Sequence, residues 1–134
     1  MSRKGGMNDF KEIYYRVEIG SKFYQVKVLA AKIEGKTQLN AQSLIKAQRA
    51  LAQDLLLEQV NFDFDLFNFV LNISGKKAAE IAEYLGTTPS HISQLRHGKT
   101  ESSKQFWKLF RATMWVLFAQ DEKRPVAKIL LSVA

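Results

Sequence analysis

Few residues of this chain belong to types that do chemistry. Cysteine is absent, so no disulfide framework, thiolate metal site or thiol nucleophile can be built, and such a composition suits a reducing cytoplasm. The two histidines, His91 and His97, lie six residues apart with no cysteine beside them and a glycine, Gly98, after the second. That is not the spacing of a metal site. Ser90 adjoins His91, but sequence adjacency does not make a nucleophile and its base; a triad needs a third group and spatial orientation. Of the close carboxylate pairs, Asp63/Asp65 reads as helix capping and Glu80/Glu83 as the flank of a helix's inward face. Gly5-Gly6 lacks the strand and helix that a phosphate-binding loop requires. The expectation is therefore no enzyme, no metal and no cofactor. What remains is recognition chemistry: a hydroxyl, an imidazole and a carboxamide at Ser90, His91 and Gln94.

The stretch 76–100, KKAAEIAEYLGTTPSHISQLRHGKT, contains the elements that must position those three side chains. Ala78 to Leu85 reads as a helix with Ile81, Ala82 and Leu85 inward. Gly86 ends it, because a tight helix exit needs the left-handed backbone that glycine adopts freely. Thr88 can cap a second helix, and Pro89 is tolerated at its first position. Ile92 and Leu95 are its inward residues, Gly98 stops it, and Ser90, His91 and Gln94 are assigned to its outward face. Ala82 sits where the two helices cross, and a larger side chain would push them apart. Two short helices joined by a glycine-containing turn form a helix-turn-helix unit.

Upstream, residues 12–30 alternate apolar and polar side chains around Gly20-Ser21, the signature of a hairpin on a type II′ turn. The turn sets the register: Ile19 faces Lys22, Val17 faces Tyr24, Tyr15 faces Val26 and Ile13 faces Val28, all on one side. Glu18 with Phe23, Arg16 with Gln25 and Tyr14 with Lys27 form the other side. A third strand near Ala31 to Ile33 is expected, with Glu34-Gly35 as its stop. Residues 39–60 have helical spacing, with Asn40 as the cap, and serve either as a core helix or as a dimer helix. Residues 61–73 shift from alternation to helical spacing behind Asp63 or Asp65. After Ser102-Ser103, an apolar helix face is expected from Phe106, Leu109, Phe110, Met114 and Leu117, widened by Trp107, Trp115 and Phe118. Pro125 begins a last helix or short strand through Val126, Ile129, Leu130 and Val133.

The chain has 134 residues and a net charge of +7, which favours a polyanionic partner. That excess is uneven. Residues 1–37 carry +4 and residues 76–108 carry +3, while residues 38–75 are net −2. No stretch approaches the ~20 apolar residues of a membrane span. Residues 1–9 are basic without an apolar core, so a secretory signal is not expected there and a flexible tail is.

Gly86-Thr87-Thr88, Ile92, Gln94-Leu95 and Gly98-Lys99-Thr100, preceded by Ala79-Glu80-Ile81-Ala82, resemble the phage repressor/Cro-type (XRE-like) helix-turn-helix family over about 25 residues. The resemblance implies a sequence-specific double-stranded DNA-binding transcriptional regulator, a cytoplasmic homodimer that reads the major groove with the helix 89–97. It assigns base contacts to Ser90, His91 and Gln94. Phosphate contacts fall to Lys76, Lys77, Thr88, Arg96, Lys99, Thr100 and Lys104. Two residues depart from the family pattern: Pro89 stands where some members place a base-reading side chain, and Arg96 replaces a common acidic residue. The expected fold class is α+β, mainly α: an N-terminal β-hairpin followed by a helical bundle containing the helix-turn-helix. Residues 10–60 would be the hairpin plus long helix, for dimerisation or partner binding, and 61–134 the DNA-binding domain. Either the hairpin or the 39–60 helix would make the dimer interface. The alternative from another class is a protein-interaction module, or an antitoxin-like regulator, holding a partner protein at the hairpin by strand addition.

Overall fold

The computed structural model describes residues 10–121. The readings made for residues 1–9 and for the tail from Pro125 lie outside them. Over the described residues the chain is α+β and mainly α, a three-stranded antiparallel sheet followed by five helices. It forms two compact units that divide after Leu51.

In the first unit, β1 (Lys11–Ile19) and β2 (Lys22–Ile33) pair antiparallel in the expected register, from Ile19 opposite Lys22 to Ile13 opposite Val28. Gly20 has φ +62° and Ser21 does not have positive φ, as a type II′ turn requires and a type I′ turn forbids. Val17, Ile19 and Val28 are buried on the inward face, while Tyr14 and Phe23 are exposed on the other. The expectation of a third strand at Ala31 to Ile33 is corrected. Those residues prolong β2, and Glu34-Gly35 is not a stop but a two-residue turn into β3 (Lys36–Leu39). Both turn residues have positive φ, +53° and +78°, so this second hairpin closes on a type I′ turn. The reason is local: a glycine preceded by a residue that accepts the left-handed region can reverse the chain in two residues, whatever strand-like pattern precedes it.

Helix α1 (Ala41–Glu58) starts at Asn40, whose Oδ1 accepts the Ser43 N–H at 2.9 Å. The division between units falls inside this helix, not at residue 60. Ala52, Gln53 and Leu56 are buried, and the second unit claims them. Helix α2 (Phe64–Ser74) is capped by Asp63, which accepts from the Leu66 N–H at 3.0 Å, and closes on Gly75. Helices α3 (Ala78–Leu85) and α4 (Pro89–Arg96) follow, then α5 (Lys104–Asp121).

Helix α5 is the spine of the second unit. Trp107 and Phe110 stack with ring centroids 5.5 Å apart, and Phe110 meets Phe67 of α2 at 4.7 Å. Phe62 packs edge-on against Trp107. Three side chains bind the second half of α1 to this unit. The Gln53 amide donates to the Trp115 carbonyl, the Trp107 indole donates to the Gln59 carbonyl, and the Arg111 guanidinium donates to the carbonyls of Leu56 and Leu57. The apolar face expected for α5 needs one correction: Leu109 is exposed, and Arg111 is buried beside the expected Trp107. Leu109 is followed four residues on by the polar Thr113, whereas Trp107 is followed at intervals of three or four by Phe110, Arg111, Met114 and Trp115. The larger aromatic stripe faces the core.

Gly86 has φ +66°, and nothing lies within 4 Å of a Cβ built there. Gly86→Ala should therefore cost only the backbone term, about 1–2 kcal/mol. The urea midpoint should fall with an unchanged slope, and a larger loss would mean crowding that the structure does not contain.

Candidate nucleic-acid interface

Helices α3 and α4 are joined by the three-residue turn 86–88. Each boundary has a local cause. Lys77 precedes α3, and its backbone N–H donates to the Glu80 carboxylate at 3.1 Å; lysine has no acceptor to return the bond, so the capping box is one-sided. Gly86 closes α3 in the left-handed conformation, and the Thr87 N–H reaches back to the Ala82 carbonyl at 2.9 Å. Thr88 then caps α4: its hydroxyl accepts from the His91 N–H at 3.1 Å, and Pro89 occupies the first turn. Ile81, Ala82 and Leu85 of α3 and Ile92 and Leu95 of α4 are buried, which holds the second helix on the first. Ala82 is almost inaccessible, in keeping with its place at the crossing.

Each residue of an α-helix advances by about 100°. Opposite the buried Ile92 and Leu95, that places Ser90, Ser93 and Gln94 on one outward strip of α4, and all three are exposed. His97 extends the strip beyond the last turn, its Nδ1 2.8 Å from the Ser93 carbonyl. Ser93 was not among the sequence candidates. The signal was present, because Ser93 follows Ser90 by one helical turn.

His91 requires correction. The expectation set it on the outward face, but it sits at the border, half-buried. Its Nδ1 lies 2.9 Å from the Thr87 hydroxyl, and its ring meets Phe106 of α5 edge-on, 4.9 Å between centroids. The 100° step explains this, since His91 adjoins Ile92 and lies only about 40° from Leu95 around the helix. Its ring is a strut between the turn and α5. Arg96 flanks the opposite border. It is exposed, yet its guanidinium donates to the Asn72 side chain of α2, while its carbonyl accepts from the Asn68 amide at 3.2 Å. Arg96 thus fastens α4 to α2, a connection that charge alone did not suggest.

The remaining phosphate candidates lie at four places. Lys99 and Thr100 are exposed at the exit of α4, where the Lys99 N–H donates to the Gln94 carbonyl at 2.9 Å. Lys77 is exposed at the start of α3, while Lys76 is half-buried with its ammonium 6.0 Å from the Tyr84 ring. Thr88 is exposed, and its cap bond uses an acceptor lone pair, so the hydroxyl proton is left to donate. Lys104 opens α5, two residues before the Phe106 that His91 touches. The contact draws the first turn of α5 toward the start of α4.

Compared with known proteins, the chain matches no family model, no curated protein and no solved structure. Among the described residues, no helix is long and apolar enough to cross a membrane.

Proposed function

We propose that this protein is a sequence-specific double-stranded DNA-binding regulator of transcription, acting in the cytoplasm as a homodimer with α4 in the major groove of each half-site. The observation that carries this reading is the outward strip of α4. Three exposed polar side chains, Ser90, Ser93 and Gln94, stand on a short helix whose inward side is locked by Ile92 and Leu95 and whose ends are capped; among the described residues, only the Ser93 hydroxyl of the three has a side-chain partner, the His97 ring 3.4 Å away on the same strip. A carboxamide at Gln94 suits bidentate pairing with adenine, and serine hydroxyls suit bases or phosphates. Lys77, Lys99, Thr100 and Lys104 would hold the backbone on either side. His91 contributes by bracing the turn. One such helix buries too little surface for tight specificity, which is the reason for two copies.

Selection of bound sequences from a random duplex pool at physiological salt tests this. A palindromic consensus with half-sites about 34 Å apart is expected; no enrichment overturns the reading. Lys99→Ala should weaken every site alike and reduce the slope of log affinity against log salt by about 0.9, the loss of one phosphate contact. An unchanged slope removes Lys99 from the backbone contacts.

A second reading, a protein partner held at the hairpin, is favoured by the exposed aromatics Tyr14 and Phe23 on the outer face of the sheet. Capture of a stoichiometric protein from native lysate in the absence of DNA would support it.

A further inference from the structure

Among the described residues, the outer edge of β1 is the longest unpaired main chain in the sheet. Within them β1 lies at one end of the strand order and pairs with β2. It runs nine residues, Lys11–Ile19, without proline, and its register against β2 has no bulge. Natural edges are usually blunted by such devices, by charge or by cover, because a free row of N–H and C=O groups invites another strand; β1 carries charges, at Lys11, Glu12, Arg16 and Glu18, so a partner strand must match them.

The direction of the backbone groups can be read from the sheet itself. The Asn40 N–H donates to the Leu29 carbonyl on the β3 side, so odd-numbered residues of β2 point to β3 and even-numbered ones to β1. Since Val28 faces Ile13 and Val26 faces Tyr15, the odd residues of β1 bond to β2. The N–H and C=O groups of Glu12, Tyr14, Arg16 and Glu18 therefore point to the open edge. A second β1 strand added antiparallel must match these even residues with even residues, which excludes half of all registers.

Charge selects among the rest. A two-fold axis at Tyr15 sets Glu12 against Glu18 twice, and an axis at Arg16 sets two guanidinium groups together. An axis at Val17 pairs Arg16 with Glu18 but engages only the end of the strand. An axis at Tyr14 sets Glu12 against Arg16 of the second copy, twice by symmetry, and engages the strand from residue 10 to residue 18. It also sets Ile13 against Tyr15 on the inward face, where Ile13 is 36% exposed in the single chain. Arg16 has donors for two carboxylates. Its Nε is 3.2 Å from Glu18, both side chains are well exposed, and a guanidinium carries five N–H groups.

The geometry points to a homodimer formed by antiparallel pairing of β1 with β1 of a second copy, with its axis at Tyr14 and two Glu12–Arg16 pairs across it. The result is a continuous six-stranded sheet and an isologous interface. The inference deepens the dimeric reading given above and rests on it for its use, since it names the element that joins the copies.

The test uses the full chain. Sedimentation over a concentration series should show a dimer. Glu12→Arg and Arg16→Glu each turn two attractions into two repulsions, and each should weaken dimerisation on the order of tenfold or more. The double exchange should restore it. The chain's lack of cysteine allows a register test that does not depend on those variants folding. Tyr14→Cys should form an intermolecular disulfide readily, because directly opposed residues have Cα atoms about 5.5 Å apart. Arg16→Cys should not, since its two copies lie four residues out of register. A monomeric wild type, a dimer indifferent to the single reversals, or faster crosslinking at 16 than at 14 overturns the inference. Failure of the DNA reading shows separately, in the pool selection, and leaves the sedimentation result standing.

Discussion

Arg111→Met is expected to lower folding stability by about 2–4 kcal/mol, although methionine fills much the same space and suits a core. Arg111 is only 6% exposed, and burial lowers its pKa from the ordinary arginine value by desolvating the charge. Removing that charge relieves a desolvation cost, which by itself would stabilise the fold. Two opposing terms are larger. The Nε donates to the Leu56 carbonyl at 2.6 Å and a terminal nitrogen to the Leu57 carbonyl at 2.8 Å, in the last turn of α1. Helix C-terminal carbonyls have no partners within the helix, and each one left buried without a donor costs about 1–3 kcal/mol. The cation also sits at the negative end of the α1 dipole. Arg111→Lys should fall between the two, since one ammonium cannot reproduce the fork. Chemical denaturation of the three proteins measures this, and a methionine variant as stable as the wild type would show that the carbonyls find other donors.

Gln94→Ala is expected to relax preference at one base position by about 1–3 kcal/mol, roughly ten- to a hundredfold, while leaving non-specific binding in place. Gln94 is exposed, so its truncation opens no cavity, and the Lys99 bond to residue 94 is to the main-chain carbonyl and survives. Stability should stay within about 0.5 kcal/mol of the wild type, as for surface changes in general. Competition between the selected duplex and one altered at that base is the measurement. Undiminished discrimination would take Gln94 out of base reading and leave Ser90 and Ser93 as the candidates. The same substitution at Ile92, which is fully buried, would instead be read in the melting curve, because it leaves a cavity under α4.

Much of this was legible in the chain because its causes are local. The hairpin register follows from Gly20 and a period of two, and every pairing from Ile13/Val28 to Ile19/Lys22 is observed. The caps Asn40, Asp63 and Thr88 and the exit Gly86 act within three or four residues of where they stand. The inward pairs Ile81/Leu85 and Ile92/Leu95 follow from helical period alone. The misses share a different cause. His91 is polar, yet its angular place beside Ile92 carries it to the border of the buried side. Leu109 is apolar, yet the stronger stripe through Trp107 and Phe110 takes the core and leaves it exposed.

The sequence by itself determined where α3 and α4 begin and end, which of their residues face inward, and that a net charge of +3 lies in residues 76–108 around them. Hydrogen-bond capping and side-chain periodicity operate over a few residues, so these features need no distant partner to be defined. Tertiary structure alone decided which polar groups stay free to recognise anything. Phe106 turned His91 into a strut, Asn72 engaged Arg96, and the carbonyls of Leu56 and Leu57 drew a guanidinium into the core 54 or more residues away in the chain. Those outcomes depend on which donor meets which acceptor when remote segments pack, and a buried polar group gains by finding its partner. What that pairing leaves exposed is the outward strip of α4, Ser90, Ser93 and Gln94, on which the proposed function rests.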